Sequence, residues 1–287
     1  MQLFLCTISF RHQLISIDQL AKWARINHFQ GLELWGIHAK NLADQPQYNK
    51  DWLAGQGLRT TMISDYLPLH SSEQNLFHTT QSLSLLCKHW GCQKIRTFAG
   101  NTASAEITEE ERRQLFSRLR RICDWLADFH LNLIIETHPN TYADSLATTE
   151  QLVAEVNRGN LKINFDVLHV WESKADIIKA LERLAPHIQH FHLKNIQSEE
   201  QLFVFKPSNV YAAAGTRDGM VTLFDGAVDY AMFFHTLFSR PDLNLASIDA
   251  ALEWFGHKSQ SALQHDRYQI EQLEQQYHDR SLPAGIV

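Results

Sequence analysis

The sequence places an acid and an imidazole side by side in the string Glu136-Thr137-His138-Pro139, directly after the apolar run 131–135. Such a run of branched residues is typical of a strand that is buried on both faces of a parallel sheet. Side chains alternate along a strand, so Glu136 and His138 share one face. This pattern predicts a carboxylate and an imidazole at the C-terminal tip of a buried strand, where enzymes built as α/β barrels carry out catalysis. The alternative is a buried glutamate that the neighbouring histidine satisfies.

Three further apolar runs end in residues that can bind a metal ion, namely Asp166, His192 and Glu253. In a closed barrel these strand ends meet Glu136 at one mouth, although they lie far apart in the sequence. Three carboxylates and one imidazole favour a hard divalent cation over structural zinc. We therefore predict one divalent ion held by these four residues, with Mn²⁺ as the first expectation and Mg²⁺ or Co²⁺ as alternatives.

Eight strands that alternate with helices would position these residues. The hydrophobic pattern predicts eight such strands. The strands are predicted at 2–8, 31–36, 59–66, 94–100, 131–136, 161–170, 188–195 and 245–255. Amphipathic segments with helix-start signals lie between them, such as the capping box at Ser16 and Gln19. The alternation predicts an α/β protein, a single (β/α)8 TIM barrel spanning residues 1–287 as one domain, with 279–287 as a flexible tail.

The segment 196–227 shows little periodicity and is predicted as a long loop after the seventh strand. A loop of that length in a compact domain is usually functional. Its apolar residues Phe203, Phe205 and Tyr211 suggest a cover over the barrel mouth, with Gly215 and Gly219 allowing tight turns. The alternative is that this segment packs against a second subunit, so a homodimer is kept open.

Composition and charge argue against several classes of protein. The formal net charge is −6 and there is no lysine- or arginine-rich run, which argues against nucleic acid as a partner. No apolar run approaches the ~20 residues of a membrane helix, so no membrane partner is expected. The four cysteines lack zinc spacing, and the first ten residues do not resemble a signal peptide. These features together predict a cytoplasmic protein with reduced thiols.

The sequence resembles a known family in strings that extend from the first to the eighth predicted strand. They are LCTISFRHQLIS, GLELWG, TMISDYL, KIRTFAG, ETHPNT, NVYAAAG and LEWFGH. These strings are similar to the 3-dehydroshikimate dehydratases of petrobactin siderophore biosynthesis, which belong to the xylose-isomerase-like TIM barrels.

The resemblance implies conversion of 3-dehydroshikimate to protocatechuate with loss of water, on a metal held by the same four residues. It implies that His138 is the catalytic imidazole beside Glu136, and that the substrate pocket contains Tyr66, Arg96, His169 and Lys194. The chemistry agrees, because an anionic small-molecule substrate near three carboxylates needs cationic anchors, which Arg96 and Lys194 can provide. A metal-bound water or His169 is expected to protonate the leaving hydroxyl.

Three other functions share some of these sequence features. A divalent-metal sugar isomerase or epimerase of the same superfamily would need no carboxylate anchor, so Arg96 and Lys194 speak against it. A DNA-repair endonuclease would need more histidine ligands and a basic face, and a ligand-binding barrel without catalysis would not need His138. The predicted eighth strand is longer than the family pattern, so Asp249, which has the same parity as Glu253, is a rival metal ligand.

Overall fold

A computed structural model describes residues 1–281 of the chain, and its centre is a closed barrel of eight parallel strands. The strands are β1 Gln2–Cys6, β2 Gly31–Trp35, β3 Arg59–Ser64, β4 Lys94–Thr97, β5 Asn132–Glu136, β6 Leu161–Asp166, β7 Ile188–Leu193, β8 Asn195–Ile196, β9 Met220–Val221 and β10 Asp249–Leu252. The strand order around the barrel is β1-β10-β7-β6-β5-β4-β3-β2, and β8 and β9 form a separate two-stranded sheet. The predicted TIM barrel is confirmed.

Helices cover the outside of the barrel and bury their apolar faces against it. The α-helices are α1 Ile17–Ile26, α2 Gly36–Ala43, α3 Lys50–Gly55, α4 Glu73–Trp90, α5 Glu109–Ala127, α6 Leu146–Val156, α7 Val167–Glu172, α8 Ile177–Leu184, α9 Pro207–Val210, α10 Tyr230–Ser239 and α11 Ser259–Ser281. Short 3₁₀-helices span Thr7–Phe10, Ala185–His187, Glu199–Phe205 and Pro241–Leu243. The Ser16–Gln19 capping box starts α1 as predicted, and a second one at Thr108 and Glu111 starts α5.

Most strands begin where the hydrophobic pattern predicts but end earlier. The sixth strand shows the reason: the Asp166 carboxylate accepts the amide hydrogen of His169 and so starts α7 directly after the strand. The predicted eighth strand is too long, because residues 245–248 form a turn closed by the amide of Ile248 and the carbonyl of Leu245. Residues 279–281 of the predicted tail belong to α11, and residues 282–287 lie outside the described part.

Asp249 lies at the N-terminal end of β10, opposite the mouth, and holds the barrel together there. Its carboxylate contacts Arg59 Nη2 at 2.7 Å, Lys94 Nζ at 3.0 Å and Thr61 Oγ1 at 2.6 Å. These contacts link β10 to β3 and β4 across the barrel floor. A position at this end excludes Asp249 from any cluster at the mouth, which removes the rival ligand that the sequence left open.

All four cysteines are buried free thiols. Among residues 1–281 no helix combines the length and the apolar character that crossing a membrane requires.

Asp249→Asn should destabilise the barrel at neutral pH. Burial alone would raise the pKa of Asp249, but Lys94, Arg59 and Thr61 outweigh it and lower that pKa to about 2. A carboxyl group with a lowered folded-state pKa stabilises the fold above its unfolded pKa, and this contribution is lost as the pH falls towards the folded value. We expect a loss of about 2 kcal/mol in the free energy of unfolding at pH 7, measured by urea denaturation, that shrinks between pH 4 and pH 2.

The exposed Asp242, which pairs with Arg240 on the surface, provides the matched control. Asp242→Asn should leave the free energy of unfolding unchanged within error at either pH, because solvent screens an exposed ion pair. A loss in the Asp249 variant that does not depend on pH would contradict the ionic explanation.

Candidate active site

Three carboxylates surround one imidazole nitrogen at the mouth of the barrel. His192 on β7 directs Nδ1 towards Glu136 Oε1 at 3.4 Å, Asp166 Oδ2 at 3.8 Å and Glu253 Oε2 at 3.6 Å. Register explains the convergence, because Asp166 and Ala251 are the β6 and β10 partners of His192, and Glu253 comes directly after β10. All four side chains are buried.

A metal ion would satisfy these four side chains better than they satisfy one another. Within residues 1–281, His192 Nδ1, Asp166 Oδ2 and Glu136 Oε2 are buried without a partner in hydrogen-bond geometry, although Lys194 and Arg96 lie at ion-pair distance from the two oxygens. Ligands that share an ion at roughly 2.1 Å lie roughly 3.0–3.5 Å apart, close to the separations seen here. Glu136, Asp166 and His192 also form one of the groups in which all potential ligand atoms lie within 4.8 Å of one another. The donor set is one that a divalent cation would complete.

Two buried cations compensate the carboxylates. Lys194 Nζ lies 2.6 Å from Asp166 Oδ2 and 2.7 Å from Glu253 Oε2. Arg96 Nε lies 2.9 Å from Glu136 Oε2, an ion pair without hydrogen-bond geometry. Burial alone would lower the pKa of Lys194 and of Arg96, but these carboxylates raise both pKa values. The lysine therefore neutralises two predicted metal ligands, which the sequence interpretation did not foresee.

The other nitrogen of His192 faces a residue that the sequence analysis left unassigned. His192 Nε2 lies 3.0 Å from both carboxylate oxygens of Glu33, which is completely buried on β2. Glu33 also contacts His190 Nε2 at 2.9 Å. Burial alone would raise the pKa of Glu33, but His192 and His190 hold it well below its ordinary value. The sequence did contain a signal for Glu33, because a glutamate inside the apolar string GLELWG needs a buried partner.

His138 packs against two aromatic rings in tilted orientations. Its ring lies 4.3 Å from the ring of Phe98 and 4.4 Å from the ring of His169, measured between centroids. Burial and the neighbouring His169 lower the pKa of His138 to about 3, so the ring is neutral. Its Nδ1 lies 2.7 Å from the Pro139 carbonyl oxygen and must donate the hydrogen there. This leaves the lone pair on Nε2 of His138 unprotonated, although a pKa of about 3 makes the ring a weak base.

The segment 196–227 lies over the mouth and is structured, with β8, β9 and α9 in place of the predicted irregular loop. Phe205 contacts the His169 ring, and the Tyr211 hydroxyl lies 2.6 Å from that of Tyr66. On the other side, Arg11 Nε donates to the Val210 carbonyl oxygen at 2.7 Å. Gly219, with a φ of +98°, makes the tight turn expected of it.

One cavity brings the predicted pocket residues together beneath this segment. Its lining includes Tyr66, Arg96, Phe98, Glu136, His138, His169, Lys194, Phe205, Tyr211 and Glu253. Asp166 and His192 lie deeper in the barrel, directly beneath the residues that line the cavity. Phe98, Phe205 and Tyr211 were not predicted as site residues, although two of them belong to the segment expected to cover the mouth. The cavity measures about 60 Å³.

Comparison with known proteins gives consistent matches along the chain. The family model for the xylose isomerase-like TIM barrel matches residues 21–275. The 3-dehydroshikimate dehydratase of Bacillus anthracis is 44% identical over 269 residues, 92% of this chain and 94% of that protein. The crystal structure of a probable 3-DHS dehydratase of petrobactin synthesis from Bacillus anthracis has a TM-score of 0.88 and 42% identity, and covers 94% of this chain and 99% of that chain. An inosose dehydratase of Mesomycoplasma hyopneumoniae is 26% identical over 78% of this chain and 77% of that protein.

Glu253→Gln should weaken divalent-metal binding, and Asp249→Asn should not. The first variant removes a charge 3.6 Å from His192 Nδ1, and the second removes a charge at the opposite end of the barrel. We expect the Mn²⁺ dissociation constant, measured by isothermal titration calorimetry, to rise at least about tenfold for Glu253→Gln, the scale of loss for a disturbed metal site. The opposite order would show that the metal cluster is wrongly placed.

Proposed function

We propose that this chain, which belongs to the xylose isomerase-like TIM barrel family, is a 3-dehydroshikimate dehydratase that releases water and protocatechuate. The observation that carries this proposal is one cavity that joins a neutral imidazole, a buried guanidinium and a carboxylate–imidazole cluster suited to a divalent ion. The extent of identity to the Bacillus anthracis enzyme supports the same substrate.

The predicted ligands Glu136, Asp166, His192 and Glu253 would hold one divalent ion, with Mn²⁺ proposed first and Mg²⁺ or Co²⁺ as alternatives. Their oxygen-rich donor set matches the preference of hard cations. When bound, the ion supplies electrophilic polarisation of the substrate ketone, which acidifies the neighbouring C–H bond. The residues around it carry out the proton transfers.

His138 is the proposed base. Its free Nε2 takes the proton from the ring carbon that lies between the ketone and the carbon bearing the departing hydroxyl. The electrons of that C–H bond form a new C=C bond, and the adjacent C–O bond breaks. His169 is the proposed donor to the departing hydroxyl, and Glu172 Oε2, 2.8 Å from its Nδ1, fixes the orientation of that ring. One more ring proton is then lost while the former ketone oxygen gains a proton, which gives the aromatic product with one water released in total.

Arg96 is the proposed anchor for the substrate carboxylate. Within the described chain its Nη1 is buried without a hydrogen-bond partner, and its guanidinium lies 5.0 Å from the Phe98 ring centroid and 5.2 Å from that of Tyr66. A buried guanidinium with an unused donor favours an anionic ligand. Neutral sugars, the substrates of the isomerase alternative, bring no negative charge to pair with the guanidinium.

The first test is incubation of the protein with 3-dehydroshikimate and Mn²⁺ while the catechol absorbance of protocatechuate is followed. Product should accumulate, chelation should abolish the activity, and added Mn²⁺ or Mg²⁺ should restore it, because the ion polarises the ketone. Full activity of the metal-free protein would contradict the metal-dependent mechanism. Turnover of neutral ketoses without turnover of 3-dehydroshikimate would favour the isomerase.

Arg96→Lys should reduce kcat/KM at least about tenfold, because the planar fork that binds a carboxylate through two parallel hydrogen bonds is lost while the charge remains. The effect should appear mainly in KM, measured by steady-state kinetics with 3-dehydroshikimate. Arg158→Lys is the matched control, since Arg158 pairs with Asp124 on the surface, and its kinetics should equal those of the unaltered enzyme. An unchanged kcat/KM in the Arg96 variant would remove Arg96 from the substrate site.

A further inference from the structure

We infer that Glu33 is a positioning residue for the metal site: it accepts the Nε2 hydrogen of His192 from below and so directs Nδ1 of that ring to the ion. This inference rests on the proposed metal centre. Glu33 is not one of the four proposed ligands, and it does not belong to the lining of the cavity at the mouth. It acts through the orientation and tautomer of His192.

Glu33 is surrounded by hydrogen-bond donors on every side. His192 Nε2 lies 3.0 Å from each of its oxygens, His190 Nε2 lies 2.9 Å from Oε2, and Cys6 Sγ lies 3.4 Å from Oε1. The Ser64 hydroxyl donates to Oε1 as well. Only an ionised carboxylate can accept from all of these groups at once, because it has no hydrogen of its own.

Counting donors and acceptors shows that both imidazole rings carry a hydrogen on Nε2. Lys94 Nζ, which can only donate, lies 3.4 Å from His190 Nδ1, so His190 carries its hydrogen on Nε2 and gives it to Glu33. His192 likewise gives its Nε2 hydrogen to Glu33. Nδ1 of His192 then faces the three carboxylates, where it carries a second hydrogen in the absence of an ion and gives its lone pair to an ion bound between them. A hydrogen-bonded carboxylate on the far nitrogen is the usual means of orienting a histidine metal ligand.

The alternative is that Glu33, His190 and His192 are themselves ligands of an ion, since their potential ligand atoms lie within 4.8 Å of one another. The hydrogen bonds argue against this. Within residues 1–281, the oxygens of Glu33 are fully engaged, whereas the unpartnered atoms are those on the Nδ1 side of His192. The atoms without hydrogen-bond partners therefore lie on the Nδ1 side of His192, and the hydrogen bonds that hold the ring lie on its Nε2 side.

The test is the affinity for Mn²⁺, read from the electron paramagnetic resonance signal of the free ion, with no substrate present. Glu33→Gln should weaken Mn²⁺ binding about 10–100-fold, because the amide presents its own donor to rings that must also donate. In a His192→Gln background the same change should have less than about a threefold effect, because there is no ring left to position. Asp249→Asn, another carboxylate inside the barrel, should bind Mn²⁺ like the unaltered protein.

Two results would overturn the inference: Mn²⁺ affinity unchanged in Glu33→Gln, or an equal loss in both backgrounds, which would indicate general damage to the fold. If Glu33→Gln does not fold, Glu33→Asp replaces it, and wild-type affinity in that shortened variant overturns the inference too. The outcome is separable from that of the proposed function. A protein that binds Mn²⁺ in this pattern but leaves 3-dehydroshikimate unchanged would refute only the substrate, whereas an unaltered protein that fails to bind Mn²⁺ refutes the positioning role itself.

Discussion

Electrostatic repulsion among three buried carboxylates is the constraint on which the mouth of this barrel depends. Glu136, Asp166 and Glu253 all lie out of solvent, and an uncompensated charge in such a place is very unfavourable. Arg96 and Lys194 supply the compensation, each in direct contact with at least one carboxylate. The same two side chains also line the cavity, so the groups that make the cluster tolerable are the groups that an anionic ligand meets.

His192 connects this cluster to the interior of the barrel. Its two nitrogens face opposite ways, one to the carboxylates at the mouth and one to Glu33 below. Beneath Glu33 the contacts continue through His190 to Lys94 and Asp249 at the barrel floor. The polar groups therefore form a continuous column along the barrel axis, in place of the purely apolar filling that branched side chains would give.

The sequence predicted the barrel and the location of its mouth because both depend on local, periodic signals. Apolar runs that end in Glu136, Asp166 and His192 identify the strands and their polar tips, and parity alone places these residues inside the mouth. What the sequence missed depends on contacts between distant elements. Glu33 and His192 meet across the barrel, 159 positions apart in the chain. The contact of Lys194 with two predicted ligands likewise follows from side-chain packing, which no spacing rule contains.

Strand ends were the weakest part of the prediction for a related reason. Apolar residues continue past the true ends of β6 and β10, so hydrophobicity cannot show where a side chain begins to cap the next helix. The segment 196–227 was correctly placed over the mouth from its position and its aromatic residues. Its small sheet and short helices went unrecognised, because two-residue strands leave no periodicity to detect.

The ionic cluster at the barrel floor has a consequence for how such a protein can change over evolutionary time. Asp249, Arg59 and Lys94 tie three strands together at the end farthest from the cavity, in contacts that involve none of the residues lining it. Substitutions in the loops at the mouth can therefore accumulate while the closure of the barrel persists. A lineage with this division between its two ends can explore new substrates without first acquiring compensating mutations elsewhere.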